Sequence, residues 1–583
     1  MEHNMSGPAW ELESEYPSFE SKEFQFDFVL VKQWIENFPK LAAASAVDFP
    51  LFKKALLEQE KICVLLENIF LYAMNVEATD TKNETAKKWV KQSEKLMVDL
   101  QIKFLPVQLA IMNLSESDFA KLISDKEIEQ VKFWLSRNQS LKDQMLSREE
   151  EIVFEKMKSS GFTDWETLHG ELTRSIQVEI KLENRTAFIS LAEAQAMTKS
   201  SSEFERKAAW EGIQKTWKIH EVSAAQALNS LAEWRLNEIS LRSKKKKLHF
   251  LDQPLHNNRI SRESLDVMMT EIQEVLPRVQ KSYSQMAKIL GKQKLDSWDL
   301  LASGPETKEK IPFEQAFDLI EKAFTTVDPE LGQFARMMFE KKWIEASESK
   351  NKSVGGYCMS FPKSGNPRVF QSYKGSYGGI FTLAHELGHA YHYWVLRKLP
   401  LRQAEYPSTL AETASNVGEF ALFEYLQSTQ GLTSQVTWLF LEALQGSLVN
   451  IPARYDFEKQ FYEQRQHGTL SAGEIVELQT TVWKKWYGSS LNQIEPYFWA
   501  NKSHFYFTRG FYNFPYTVGY LLSQSIYAQR ERFGKEFWPR YKALLMDTGI
   551  MTCEDLVQKH LGYDLQKPEF WRQGLEKLIA KIG

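Results

Sequence analysis

With 583 residues, 43% of them apolar and 25% charged, the chain can bury a large core and has the polarity of an ordinary soluble globular protein. A formal charge of −4 gives no footing for nucleic acid or an anionic membrane as partner. Cys63, Cys358 and Cys553 are too few and too scattered for a disulfide framework, which fits a reducing compartment. The first residues lack a basic stretch followed by an apolar one, and no apolar run of about 18 residues stands ready to span a membrane, so a cytoplasmic location is expected.

Residues 1–25 are polar and broken by Pro, an irregular lead-in. From Phe26 to about Asn113 the apolar residues Val29, Trp34, Ile35, Phe38, Leu56, Ile62, Leu65, Leu66 and Ile69 recur mostly at helical spacing. Helix continues past Phe133 and Val153 to a turn predicted at Gly161–Asp164. Ser175–Lys181 and Thr186–Ser190 alternate and predict a hairpin across Glu183–Arg185. A boundary placed nearby divides a helical amino-terminal domain, 1–185, from a second domain, 186–583. Helical periodicity resumes from Leu191 to about Ala346. The run Lys244–Lys247 reads as a solvated helix end, where cations complement the helix dipole. Val354–Phe361 and Arg368–Tyr373, separated by Pro362–Pro367, read as strand, turn and strand. After Glu419 the chain is helical and aromatic to its end.

Chemistry concentrates in Thr382-Leu-Ala-His385-Glu386-Leu-Gly-His389-Ala-Tyr-His392. In a helix with Thr382 as its predicted N-cap, His385 and His389 project from one face about 6 Å apart along the axis. Two neutral imidazoles so placed can bind one zinc ion, and Glu386 beside them can take a proton from water. A structural pair of core histidines is the competing reading. A zinc hydrolase needs a third protein ligand. The metzincin extension is absent, because His392 and Val395 stand where Gly and His are required. Glu412, 23 residues beyond His389 in a predicted helix, is the choice for that ligand. Thr409 and Glu412 also spell a capping box, and Glu405, in the loop before Pro407, is the rival ligand. Glu419, two turns beyond Glu412, suits a partner for a ligand imidazole. Gly388 inside the metal helix costs about 1 kcal/mol relative to Ala, so a helix crossing there is expected, with the one bearing Glu412 as the candidate.

This motif, together with Leu410-Ala-Glu412-Thr-Ala-Ser415, resembles the oligoendopeptidase F family of zinc metallopeptidases, related to thimet oligopeptidase. Leu146–Glu151 and Phe250–His256 are similar to further parts of that family. His504-Phe-Tyr506 followed by Phe511-Tyr512-Asn-Phe-Pro-Tyr516-Thr-Val-Gly-Tyr520 resembles its carboxy-terminal His/Tyr signature, with Phe514 where relatives often carry tyrosine. The resemblance implies a mainly α fold, a large helical two-lobed body around a deep substrate cleft, with a small β element next to the zinc helix whose edge pairs with extended peptide. It implies a zinc-dependent endopeptidase for short unstructured oligopeptides, with Zn²⁺ on His385, His389 and Glu412 and Glu386 as general base. It also implies that His504, Tyr512 and Tyr516 donate hydrogen bonds to substrate and oxyanion. His392 is implied to be a neighbour of the site rather than a ligand. The alternatives are an exopeptidase of dipeptidyl carboxypeptidase type on the same scaffold, or a non-catalytic peptide-binding protein with structural zinc. An aminopeptidase is disfavoured, since no Gly-x-Met-x-Asn motif occurs.

Overall fold

The computed structural model describes residues 6–40, 47–183, 185–305 and 310–582. They are mainly helical, with two small sheets. The chain divides into two interleaved units. The first comprises Met1–Lys142, Glu309–Gln430 and Gln529–Gly562; the second comprises Asp143–Lys308, Gly431–Ala528 and Tyr563–Gly583. Residue 185, where the sequence suggested a boundary, begins a hairpin strand inside the second unit.

In the first unit, helices Lys22–Glu36, Phe49–Thr79 and Glu84–Met112 pack together, each entered through a capping side chain: Ser21, Asp48 and Asn83. Phe49–Thr79 is long and apolar enough by composition to cross a membrane, and 44% of its most apolar window is buried within the protein. Its Phe52, Ile62, Leu66 and Ile69 join one core with Phe24, Phe104 and Val107, and with Met359, Phe361 and Phe370 from a three-stranded sheet. In that sheet Asn366–Gln371 is central, parallel to Ile344–Glu345 and antiparallel to Gly356–Phe361. The expected turn through Pro367 is shorter: the second strand already starts at Asn366, and Pro367 pairs with Ser360.

The metal helix is Tyr377–Leu396. Its cap is Ser376, whose hydroxyl accepts the Gly379 N–H at 3.1 Å. Thr382, the expected cap, lies in the second turn and donates to the Gly378 carbonyl at 2.9 Å. The Gly378-Gly379 pair looks like a helix break in sequence, yet Ser376 holds it in the first turn. The next long helix, Ser408–Thr429, enters through Pro407 without a side-chain cap, so the capping box of Thr409 and Glu412 does not form. These two helices cross very closely. A Cβ on Gly388 would sit 2.4 Å from the Ala414 carbonyl oxygen, and one on Gly418 would sit 2.5 Å from that of Ala384. Each helix therefore uses a glycine to admit the backbone of the other, as expected of Gly388.

In the second unit the 40-residue helix Glu203–Arg242 carries the hairpin Gln177–Leu182 and Arg185–Ser190. Gly212 admits it, since a Cβ there would lie 2.7 Å from the Glu179 carbonyl oxygen. The predicted turn at Gly161 is instead a π-helical segment, Ser159–Thr163, continuous with helices on both sides. Trp234 packs against it, stacked on Phe162 at 5.7 Å, and this tertiary contact overrides the local turn signal. Lys244 and Lys245 pair with Glu150 and Asp143 at the exposed end of the long helix, a solvated charge cluster as expected.

Gly388→Ala tests the crossing. Overpacking typically costs about 1–3 kcal/mol, and the obstacle here is backbone that cannot rotate away. The melting temperature should fall and bound metal should drop with it; a stable Gly388→Ala protein with full metal content would show that the two helices can separate freely.

Candidate active site

Where the helices cross at Gly388 and Gly418, side chains of the two come within reach of each other. His385 and His389 come from the first helix, Glu412 and Glu419 from the second. His385 Nε2 and His389 Nε2 are 3.1 Å apart, and Glu412 Oε2 lies 3.4 Å from the first and 3.7 Å from the second. Three ligands at tetrahedral corners about 2.0–2.1 Å from a zinc ion would be separated by about 3.3–3.4 Å. The donor set and its spacing thus fit zinc without rearrangement.

Second contacts orient these ligands. Glu419 Oε1 accepts from His385 Nδ1 at 2.5 Å, which leaves the Nε2 lone pair directed at the cluster. The Ser415 hydroxyl donates to Glu412 Oε2 at 2.6 Å. Ser415 closes the motif that begins at Leu410 and has no role assigned from sequence, although its position one turn after Glu412 on the same face is a usable signal. Glu405 is engaged elsewhere, by Arg402 at 2.9 Å, and stays outside the cluster. His392 is buried, stacked on Tyr406 at 4.1 Å, with Nε2 2.9 Å from Thr548 Oγ1. The Thr548 hydroxyl donates to the Leu545 carbonyl, so His392 Nε2 is the donor in that bond and has no lone pair for a metal.

Charge in the cluster is unevenly shared. Burial opposes the charged form of His385, but the Glu419 hydrogen bond and the charges of Glu419, Glu412 and Glu386 outweigh it and raise its pKa. Burial and the neighbouring His385 cation lower His389. The carboxylates thus favour a cation at the point where a metal ion fits. Burial raises Glu386 to about 7, against the opposing His385 charge and with Glu412 and Glu419 adding to the rise. No hydrogen bond or ion pair joins Glu386 to His385, His389 or Glu412 among the described residues, although the charges of His385 and Glu412 act on it. The strand Gly356–Phe361 runs beside it: a Cβ on Gly356 would lie 3.6 Å from Glu386 Oε1.

In the second unit, His504, Tyr512 and Tyr516 form a cluster of their own. The ring centroids of His504 and Tyr512 are 4.9 Å apart, and the Tyr516 hydroxyl donates to that of Tyr512 at 3.0 Å. Phe511, immediately before Tyr512, has φ 53°, a left-handed conformation costly for a bulky residue. Its N–H is held by Glu458 Oε1 at 2.8 Å and its ring stacks on Phe250 at 5.5 Å. Arg454 can only donate, so the Asn513 atom it meets at 3.3 Å is the carbonyl oxygen. The same oxygen lies 2.8 Å from His504 Nδ1, which must carry the hydrogen. Burial, opposed by the Asn513 bond and aided by the Lys502 and Arg454 cations, lowers His504 to about 4. Its ring is then neutral with an acceptor at Nε2, where the sequence had led us to expect a donor. Arg454 and Asn513 were not singled out beforehand: 59 residues separate them, and no local pattern links them.

The model of peptidase family M3 matches residues 196–576, most of the chain and all of these residues. The chain belongs to peptidase family M3. It is thus a metallopeptidase, and residues 111–177 match the oligopeptidase F model that accompanies this family. Among curated proteins it is similar to the oligopeptidase PepF of Bacillus subtilis, 25% identical over 96% of this chain and 84% of the relative. An oligoendopeptidase F homologue of Borreliella burgdorferi is 24% identical over 89% and 88%. Among solved structures, a peptidase from Chlamydophila abortus superposes with TM-score 0.82 at 20% identity over 99% of both chains. Oligoendopeptidase F from Enterococcus faecium gives 0.67 at 16% identity over 96% and 98%. These M3 structures share the mainly α fold expected from the sequence.

Two substitutions separate ligand from support. Glu412→Gln, which keeps the side chain's shape, should remove most bound zinc. Glu419→Gln should weaken zinc binding about 10- to 100-fold while leaving a site that fills at high zinc. Metal analysis and zinc titration check both; full metal content in Glu412→Gln would pass the third position to another group.

Proposed function

We propose that this M3 peptidase is a zinc-dependent endopeptidase that hydrolyses internal bonds of short, unstructured oligopeptides. The observation that carries the reading is the trio His385, His389 and Glu412 at tetrahedral spacing with Glu386 beside it. When bound, zinc supplies Lewis acidity, polarising the scissile carbonyl and making water more acidic. His385, His389 and Glu412 would hold it. Glu386 accepts the proton of the attacking water and passes it to the leaving amine; its raised pKa makes both transfers feasible near neutrality. A structural zinc site has no use for such a base, which argues against a non-catalytic binding protein. The free edge of Gly356–Phe361, beside Glu386, is suited to pair with the backbone of an extended peptide. Tyr512, backed by Tyr516, is proposed as donor to the tetrahedral oxyanion. The strained Phe511 supports that role, because strain of this kind gathers at functional positions. His504 is assigned acceptance from a substrate N–H. Cys63, Cys358 and Cys553 form no disulfide, which suits a reducing compartment, and a cytoplasmic location belongs to the same proposal.

Quenched fluorescent peptides of graded length, with products identified by mass, test the reading directly. Internal cleavage of short peptides is expected; release of carboxy-terminal dipeptides alone would favour the exopeptidase. Glu386→Gln should keep about one zinc per chain and lose turnover. Normal turnover in that variant would overturn the mechanism. Tyr512→Phe should lower kcat about 100- to 1,000-fold, the usual loss for one oxyanion donor, with metal content and melting temperature unchanged. An unaltered kcat would return Tyr512 to the aromatic core.

A further inference from the structure

The second unit contains a cavity of about 700 Å³, within the size range of cavities that enclose small ligands. Its lining is charged. Lys199, Arg454 and Lys502 face it with Glu442 and Glu495, and none of the three cations makes an ion pair among the described residues. With both glutamates ionised the lining carries one excess positive charge. Burial raises the pKa of both carboxyls, Glu495 to about 7 despite its bond from Gln214, so the excess is no smaller near neutrality. Burial and the neighbouring Arg454 and Lys199 charges lower Lys502 to about 8, as expected for a cation short of counter-charge.

The cavity adjoins the His504 cluster within the same unit. Lys502 and Ser503 lead directly into His504, and Arg454 holds Asn513, which fixes the His504 ring.

We propose that this cavity is a subsite for a peptide carboxylate, held by Lys502, Arg454 and Lys199. The proposal rests on the oligopeptidase reading, which supplies a ligand of this chemistry. The carboxylate can be the peptide's own carboxy terminus or an acidic side chain.

Three fluorescent peptides of one sequence distinguish these sources: the free acid, the carboxamide, and a carboxamide with one neutral residue changed to Glu. Their Kd values are measured by anisotropy on Glu386→Gln holoenzyme, so the result does not depend on turnover, and their KM values on the active enzyme. The free acid should bind about tenfold or more tighter than the amide, the usual scale for a charge-assisted bond. Recovery of that affinity by the Glu-containing amide assigns the site to side chains as well. Lys502→Met, and separately Lys199→Met at an exposed position, should abolish the discrimination, and Lys502→Arg should retain it. Equal affinity for all three peptides overturns the subsite, as does discrimination that survives in both Met variants. Tight, carboxylate-dependent binding with no cleavage of any peptide by the active enzyme would uphold the subsite and reject the peptidase reading.

Discussion

Two helices in van der Waals contact at their backbones decide the geometry of the metal centre. At Gly388 and Gly418 each helix presents no Cβ, and carbonyl oxygens of the partner occupy the space that side chains would need. Interhelical distances are otherwise set by side chains at the contact. Removing them lets carboxylates of one helix reach imidazoles of the other. Glu412 and Glu419 are two turns apart, so one crossing delivers a candidate ligand and the partner that orients a ligand.

The electrostatics follow from that proximity. Three ionisable ligand groups within 3.7 Å of one another, part-buried, cannot all hold their ordinary charges. Glu419 and the other carboxylates raise the pKa of His385, burial and His385 lower that of His389, and burial raises that of Glu386. A divalent cation would relieve the same imbalance while converting both imidazoles to neutral ligands. Glu386, proposed as the base, draws its raised pKa from burial and from the carboxylates of the same cluster.

In the second unit a different device serves a similar end. Arg454 determines which atom Asn513 offers, Asn513 determines which nitrogen of His504 carries hydrogen, and Glu458 holds the strained Phe511 that precedes Tyr512. Buried Asn513 and Glu458 and half-buried Arg454 thus set the hydrogen-bonding sense and direction of two signature side chains.

The sequence by itself determined the chemistry that depends on helical spacing. His385, Glu386 and His389 lie within a single turn, so their relative placement follows from 3.6 residues per turn; Glu412 and Glu419 share a face for the same reason, and even the crossing at Gly388 was legible as an unexplained glycine. Alternation likewise marked both hairpins, one of them with its second strand shifted by two residues. Tertiary structure alone decided what depends on distant residues. The helix starts at Ser376 because the Gly378-Gly379 pair is held in its first turn by that cap, against the local signal. Gly161 stays helical because Trp234, 73 positions away, packs against it. The interleaving of the two units, the orientation of the His504 ring by Arg454 and the positively charged cavity all arise from contacts between residues that no periodicity relates. Local pattern encodes the angle between neighbours along one element; only packing encodes which elements meet.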